Sequence, residues 1–221
     1  MKRTPAAEPG LIRIQAGSVT LEGELHLPEH ATGVVLFAHG SGSSRHSTRN
    51  QFVARELQAA GLGTLLIDLL TLEEEAVDRH TAQLRFDIPL LGERLDAATR
   101  WLADEPSTRS LSVGYFGAST GGAAALVAAA AEPERVGAVV SRGGRPDLAR
   151  DALPVVRAPT LLIVGGRDLA VLELNRAAMA RMRAEVRLEI VPGATHLFEE
   201  PGALETVAHL ARDWFLRHLH S

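Results

Sequence analysis

The 221-residue chain contains no cysteine. That absence removes disulfides, thiolate metal sites and a cysteine nucleophile together, so any covalent catalysis by this chain falls to serine. No run of lysines or arginines stands out within a formal charge of −4, and the basic footprint of a nucleic-acid-binding surface is missing. No apolar run approaches the ~20 residues of a membrane span; the alanine-rich stretch 122–131 has about half that length and reads as a buried helix. Met1 to Gly10 carries charges and prolines without the apolar core of a secretory signal, which makes the cytoplasm the expected location. Internal repeats, linkers and low-complexity tracts are lacking as well. One domain covering 1–221 is expected, with 1–10 flexible.

What is present alternates between strand and helix patterns. Residues 11–15 and 20–27 alternate apolar with polar side chains around a Gly-Ser turn, the mark of an antiparallel hairpin. Residues 34–38 and 64–68 are continuously apolar up to Asp68, as strands buried on both faces should be. Further strands are expected at 112–116, 136–140, 160–164 and 186–191, with helices at 48–60, 122–131 and 172–184. Leu90, Leu91, Leu95, Ala98, Trp101 and Leu102 recur at helical spacing, as do Leu204, Val207, Leu210, Ala211, Trp214 and Phe215, so both tryptophans read as core. Glu73-Glu74-Glu75 reads as a solvated face. The sum is an α/β fold with a mostly parallel central sheet, an N-terminal antiparallel hairpin and helices on both faces.

Gly117-Ala118-Ser119-Thr120-Gly121 lies between a strand and a helix. A G-x-S-x-G turn in that context is a nucleophile elbow, in which small neighbours permit a strained backbone that projects the serine hydroxyl. Two later strand ends deliver Asp168 and His196. Serine acylation needs a base to take the hydroxyl proton and a carboxylate to orient that base, so Ser119, His196 and Asp168 form a candidate catalytic set. Asp68 and Asp147 are rival acids; the expected alternatives are that Asp68 bonds loop backbone and that Asp147 caps the turn at Leu148 or pairs with Arg142 or Arg145. No metal-ligand spacing or nucleotide-binding loop is seen, and no cofactor or metal is expected.

With His39-Gly40-Ser41-Gly42, Gly117-Ala118-Ser119-Thr120-Gly121-Gly122, Gly165-Gly166-Arg167-Asp168 and Gly193-Ala194-Thr195-His196, the chain resembles the α/β-hydrolase superfamily over nearly its whole length, and within it the compact dienelactone-hydrolase-like branch. Dienelactone hydrolases proper use a cysteine nucleophile, and the serine at 119 shifts the expectation toward general esterase chemistry. The resemblance implies an oxyanion hole from the backbone N–H groups of Thr120 and Ser41, with Gly42 able to take the place of Ser41. His39, beside that loop, is expected to hold it rather than to act as base, and His39 and Gly42 are candidates to line the substrate site. The other histidines, His209, His218 and His220 among them, are expected at the surface.

Many relatives insert a lid between the strand after the elbow unit and the next one; here 140–160 has room for only a short helix. A small or open pocket follows, with 71–88 the segment long enough to cover it and long acyl chains disfavoured. Arg142, beside Gly143-Gly144, is a candidate for recognising a substrate anion, against the alternative of an ion pair with Asp147 or a bond to a loop carbonyl. The expectation is a serine hydrolase of small carboxylic esters or lactones working through an acyl-enzyme. An acyltransferase or peptidase with the same triad, and a non-catalytic binding protein of the same fold, are the alternatives. The expected partner is a small-molecule ester or lactone, with neither nucleic acid nor membrane; a homodimer is one candidate assembly.

Overall fold

The computed structural model describes residues 10–219. Residues 1–9, most of the stretch expected to be flexible, fall outside that range, as do His220 and Ser221, and Gly10 opens the first strand. Gly10–Ala16 (β1) and Val19–His26 (β2) pair antiparallel, from Gly10 opposite Leu25 to Ala16 opposite Val19. Their turn requires a left-handed residue, and Gly17 supplies it at φ 61°. Gly33–Ala38 (β3) and Gly63–Ile67 (β4) are buried at every position because helices cover both faces, which is why neither sequence alternates. Ser112–Ala118 (β5), Val136–Arg142 (β6), Thr160–Gly165 (β7) and Val186–Val191 (β8) complete one sheet of order β1-β2-β4-β3-β5-β6-β7-β8, antiparallel at the hairpin end and parallel from β4 onward.

The helices are Thr48–Ala59 (α1), Leu72–Thr81 (α2), Ile88–Asp104 (α3), Thr120–Ala131 (α4), Leu169–Met179 (α5) and Ala203–His218 (α6). Their starts are chemically marked. The Ser47 side chain accepts from the Asn50 N–H, Thr71 and Glu74 form a reciprocal capping box, and Asp87 accepts from Leu90 with Pro89 in the first turn. One face of the sheet is closed by α3 and α4 through Leu91, Leu95, Ala98 and the buried alanines 123–125; the other by α1 and α6 through Val53, Leu57, Trp214 and Phe215. Each large apolar side chain fully removed from water in these two cores contributes about 1.5–3 kcal/mol. Alanines contribute less area, so α4 gains its place by close approach to neighbours on every side.

Three expectations are corrected. β6 continues through Ser141 and Arg142, which still pair with Leu162 and Ile163, so Arg142 ends a strand instead of starting a loop. The Glu73-Glu74-Glu75 run is the first turn of α2, where Glu74 closes the capping box and binds Arg94 at 2.7 Å; only Glu73 is simply solvated. The helix expected at 172–184 starts at Leu169, directly after Asp168, and ends at Met179. Between β6 and β7 stands a 3₁₀ segment, Pro146–Ala152, and no inserted lid.

The order of the sheet also fixes where a ligand belongs. From β3 the chain steps to β4 on one side and then crosses to β5 on the other, so the crevice at the carboxyl ends of β3 and β5 is the topological switch point. The 39–47 loop leaves β3 there, and Ser119 leaves β5 beside it.

Candidate active site

Ser119 occupies φ 52°, ψ −120° between β5 and α4. A side chain held there costs about 1–3 kcal/mol and persists only when surrounding bonds over-determine it. Three do so: the Ser119 N–H donates to the Arg142 carbonyl at 3.2 Å, and its own carbonyl accepts from Gly122 at 3.0 Å and Arg145 at 3.1 Å. A side-chain carbon on Gly117 would run into the Gly121 carbonyl, and one on Gly121 into that of Ala38. The two glycines therefore let α4 start hard against β3.

His196 and Asp168 meet. Nδ1 of the ring lies 2.6 Å from Asp168 Oδ2, with the histidine side chain 40% and the aspartate 16% exposed. A carboxylate oxygen only accepts, so Nδ1 carries the proton and Nε2 is left able to take one. The loop that presents His196 is braced at both ends: Thr195 N–H donates to the Glu200 carboxylate at 3.1 Å, and Arg167 N–H donates to the Ala194 carbonyl at 2.9 Å. Gly143, one residue past the carbonyl that holds Ser119, backs directly on to His196: a side-chain carbon there would stand 3.6 Å from the ring's Cε1. The three sequence candidates thus sit at one end of the sheet, delivered by β5, β7 and β8.

The 39–47 loop is held by a charge network. Arg45 N–H donates to Asp68 Oδ1 at 2.7 Å, its guanidinium bonds Asp68 Oδ2, and Glu22 at 2.9 Å and Glu24 at 3.6 Å complete its surroundings. Asp68 therefore bonds loop backbone, as one reading of the sequence had it. His39 has both ring nitrogens occupied by main chain: Nε2 accepts from Leu69 N–H at 2.9 Å, and Nδ1 donates to the Gly40 carbonyl at 3.0 Å. Burial pushes its pKa below the ordinary histidine value, against the opposing pull of the Gly40 bond and the Asp68 charge. Asp147 is occupied by Arg145, at 2.9 and 2.8 Å, and not by Arg142.

A cavity of about 390 Å³ opens beside Thr120, between the 40–47 loop, Leu69, Leu70 and α2. Glu75, Asp78, Arg79 and Arg85 bring charge to its lining, and Leu91 adds an apolar contact. The sequence reading named the covering segment without these side chains. Arg85 is tied to Asp78 at 2.5 Å, so that pair is structural. Among the described residues no group of three or more His, Asp or Glu is arranged to hold a metal ion, and no helix is long and apolar enough to cross a membrane.

This topology, with a serine turn after β5 at the switch point, is the α/β-hydrolase fold. Within it the chain belongs to the dienelactone hydrolase family, whose model matches residues 21–219. A crystal structure of dienelactone hydrolase from Anabaena variabilis is 61% identical, superposes with a TM-score of 0.95, and covers 96% of this chain and 99% of its own. Two curated Mycobacterium tuberculosis proteins, each named as a phosphoribosyl transferase, are 61% identical over 218 residues, which is 97% of this chain and 48% of theirs. The chain spans about half the length of those relatives. More distant in sequence is a Xanthomonas campestris protein described as an α/β serine hydrolase without lid, at 19% identity, TM-score 0.74 and 97% coverage of both chains. Membership in the family supports hydrolysis as the class of chemistry.

Proposed function

We propose that the chain is a serine hydrolase that opens carboxylic esters or lactones of small substrates through an acyl-enzyme. The observation that carries this reading is the 2.6 Å bond between His196 and Asp168 at the same sheet end as a serine strained to φ 52°. In it, His196 Nε2 takes the Ser119 hydroxyl proton as Oγ attacks the acyl carbon, and Asp168 fixes the tautomer and steadies the imidazolium. Negative charge then developing on the acyl oxygen meets the N–H groups of Thr120, at the start of α4, and Ser41, for which no acceptor stands among the described residues. Gly42 is the alternative donor to Ser41. The imidazolium returns its proton to the departing alkoxide, which in a lactone stays attached to the acyl group. Water, deprotonated by the same nitrogen, attacks the acyl carbon and releases Ser119.

The cavity of about 390 Å³ favours short acyl chains. The name of the Anabaena relative supports lactones as well as esters. The transferase name of the mycobacterial relatives attaches to chains about twice as long, and the present reading concerns only the half they share. A fluorophosphonate should label Ser119 once per chain, and Ser119→Ala should lower ester and lactone turnover by ~10⁴-fold or more while remaining folded. Activity is expected to survive EDTA treatment and desalting. Labelling or turnover retained by the alanine variant rejects the assignment.

A further inference from the structure

The sheet has two edges, and they are built differently. β8 closes one of them, and among the described residues no strand pairs with its outer side. Thr160 N–H donates to the Glu185 carbonyl at 2.8 Å and Gly166 N–H to that of Val191 at 2.9 Å, which places the ladder between β7 and β8 on the odd-numbered residues of β8. Val186, Leu188 and Ile190 therefore turn their N–H and C=O groups outward. Exposed edges are commonly blunted by proline, a bulge or lysine. β8 has none of these: it reads Val-Arg-Leu-Glu-Ile-Val, and its register with β7 runs unbroken from Val186 to Val191.

The side chains alternate as regularly as the backbone. Arg187 and Glu189 stand opposite Leu161 and Ile163, on the face covered by α1 and α6, and Val186, Leu188 and Ile190 lie on the other face, where Ile190 is 40% exposed. Turned end for end about Leu188, this strand is its own complement. Laid antiparallel on a second copy, Leu188 faces Leu188, Val186 faces Ile190, and Arg187 faces Glu189. The outward groups of Val186, Leu188 and Ile190 then make the hydrogen-bonded pairs, and Arg187 with Glu189 falls on the intervening pairs, where opposed side chains are closest. Within one chain Arg187 and Glu189 already bond each other at the surface, a contact worth little, so exchanging it for the same contact across the axis costs little. β1, at the far edge, has Arg13 as its sole charge, and two copies paired about its midpoint would set Arg13 against Arg13.

We infer that β8 is the interface of a homodimer in which the sheets of two copies join edge to edge, antiparallel, about a two-fold axis at Leu188. The inference does not rest on the hydrolase reading. It does bear on the site, because the 192–196 loop that presents His196 springs from the end of β8, where the Val191 carbonyl accepts from Ala194 N–H at 3.3 Å.

Sedimentation velocity of the full chain, from low micromolar to near-millimolar concentration, should show the mass rising from one chain to two. Arg187→Glu sets acid against acid at both charged contacts, and Glu189→Arg sets base against base; each should weaken dimerisation by about tenfold to a hundredfold. The double variant carrying both substitutions restores the match and should recover the wild-type dissociation constant. An equimolar mixture of the two single variants should form heterodimers more tightly than either forms homodimers. Should a reversal unfold the chain, residue-resolved hydrogen exchange on the wild type serves in its place: raising the concentration should protect the amides of Val186, Leu188 and Ile190 and leave those of Arg187 and Glu189, already bonded to β7, unchanged. A chain that stays monomeric at every concentration overturns the inference, as does a dimer indifferent to both reversals or one without the added protection at Val186, Leu188 and Ile190. Ester turnover plays no part in these readings, so the dimer and the hydrolase reading fail separately.

Discussion

Arg45 and Arg142 flank the same serine turn, and the molecule treats them in opposite ways. Arg45 is surrounded by Asp68, Glu22 and Glu24 and ties a loop to two strands. Arg142, more deeply buried, has no carboxylate among the described residues; the one in the next turn, Asp147, is spent on Arg145. The β4 side thus surrounds its buried loop arginine with three carboxylates, although Arg45 Nε itself has no hydrogen-bond partner, while the β6 to β8 side leaves Arg142 without one. A buried charge set among carboxylates holds a loop in place; one without them is a cost that the rest of the fold offsets.

The sharpest break in this comparison is between two aspartates at strand ends. Asp168→Asn should lower kcat by ~10⁴-fold with the melting temperature nearly intact, because it disturbs a tautomer and little else. Asp68→Ala should do the reverse, costing about 3 kcal/mol, or roughly 6–12 °C of melting temperature, by leaving the Arg45 charge under-compensated. Its kcat at low temperature should stay within about tenfold of wild type. If Asp68→Ala is the inactive variant and Asp168→Asn the unstable one, the division between scaffold and chemistry is drawn the wrong way round.

A smaller effect of opposite sign is expected at Arg142. Exchange for methionine removes an unpaired buried charge and keeps the volume, so denaturant unfolding without added anions should show a gain of about 1–3 kcal/mol. A loss of stability would mean that the guanidinium already has adequate partners. The smallest effect concerns His39, which stays neutral in the fold. The unfolded chain takes up a proton near pH 6.5 that the folded chain refuses, so stability is full above that value and declines as pH falls below it. His39→Gln should flatten the melting curve between about pH 7.5 and about pH 5.5, a difference of about 1 kcal/mol or less. An unchanged slope would move the acid sensitivity to other groups.

The strands were legible because burial on both faces leaves unbroken apolar runs, as at 34–38 and 160–164, and because Gly-rich turns punctuate them. The convergence of Asp168 and His196, bonded across 28 residues, could be anticipated from their positions at strand ends. What escaped the sequence reading was polar. α2 exposes Leu72 and Val77 and buries only Asp78, so it has no apolar stripe to find; its one readable sign was the Thr71-x-x-Glu74 capping box. Ser141 and Arg142 read as loop because strand interiors are rarely charged, yet their backbones complete the ladder on both sides. Arg49 and Glu199, 150 residues apart, carried no sequence signal of their meeting.

The register of β3 with β5, where Ala38 stands opposite Gly117, has a consequence for how this protein can change over time. The 39–47 loop and the serine turn leave adjacent strands one ladder step apart, about 4.8 Å, a distance set by peptide hydrogen bonds that no side chain can alter. Mutation can therefore redraw the surroundings of the serine turn, in α2 or at Phe198, without re-measuring the gap between the two strand ends. The sheet acts as a ruler that selection cannot file down, and diversity accumulates in what the ruler leaves free.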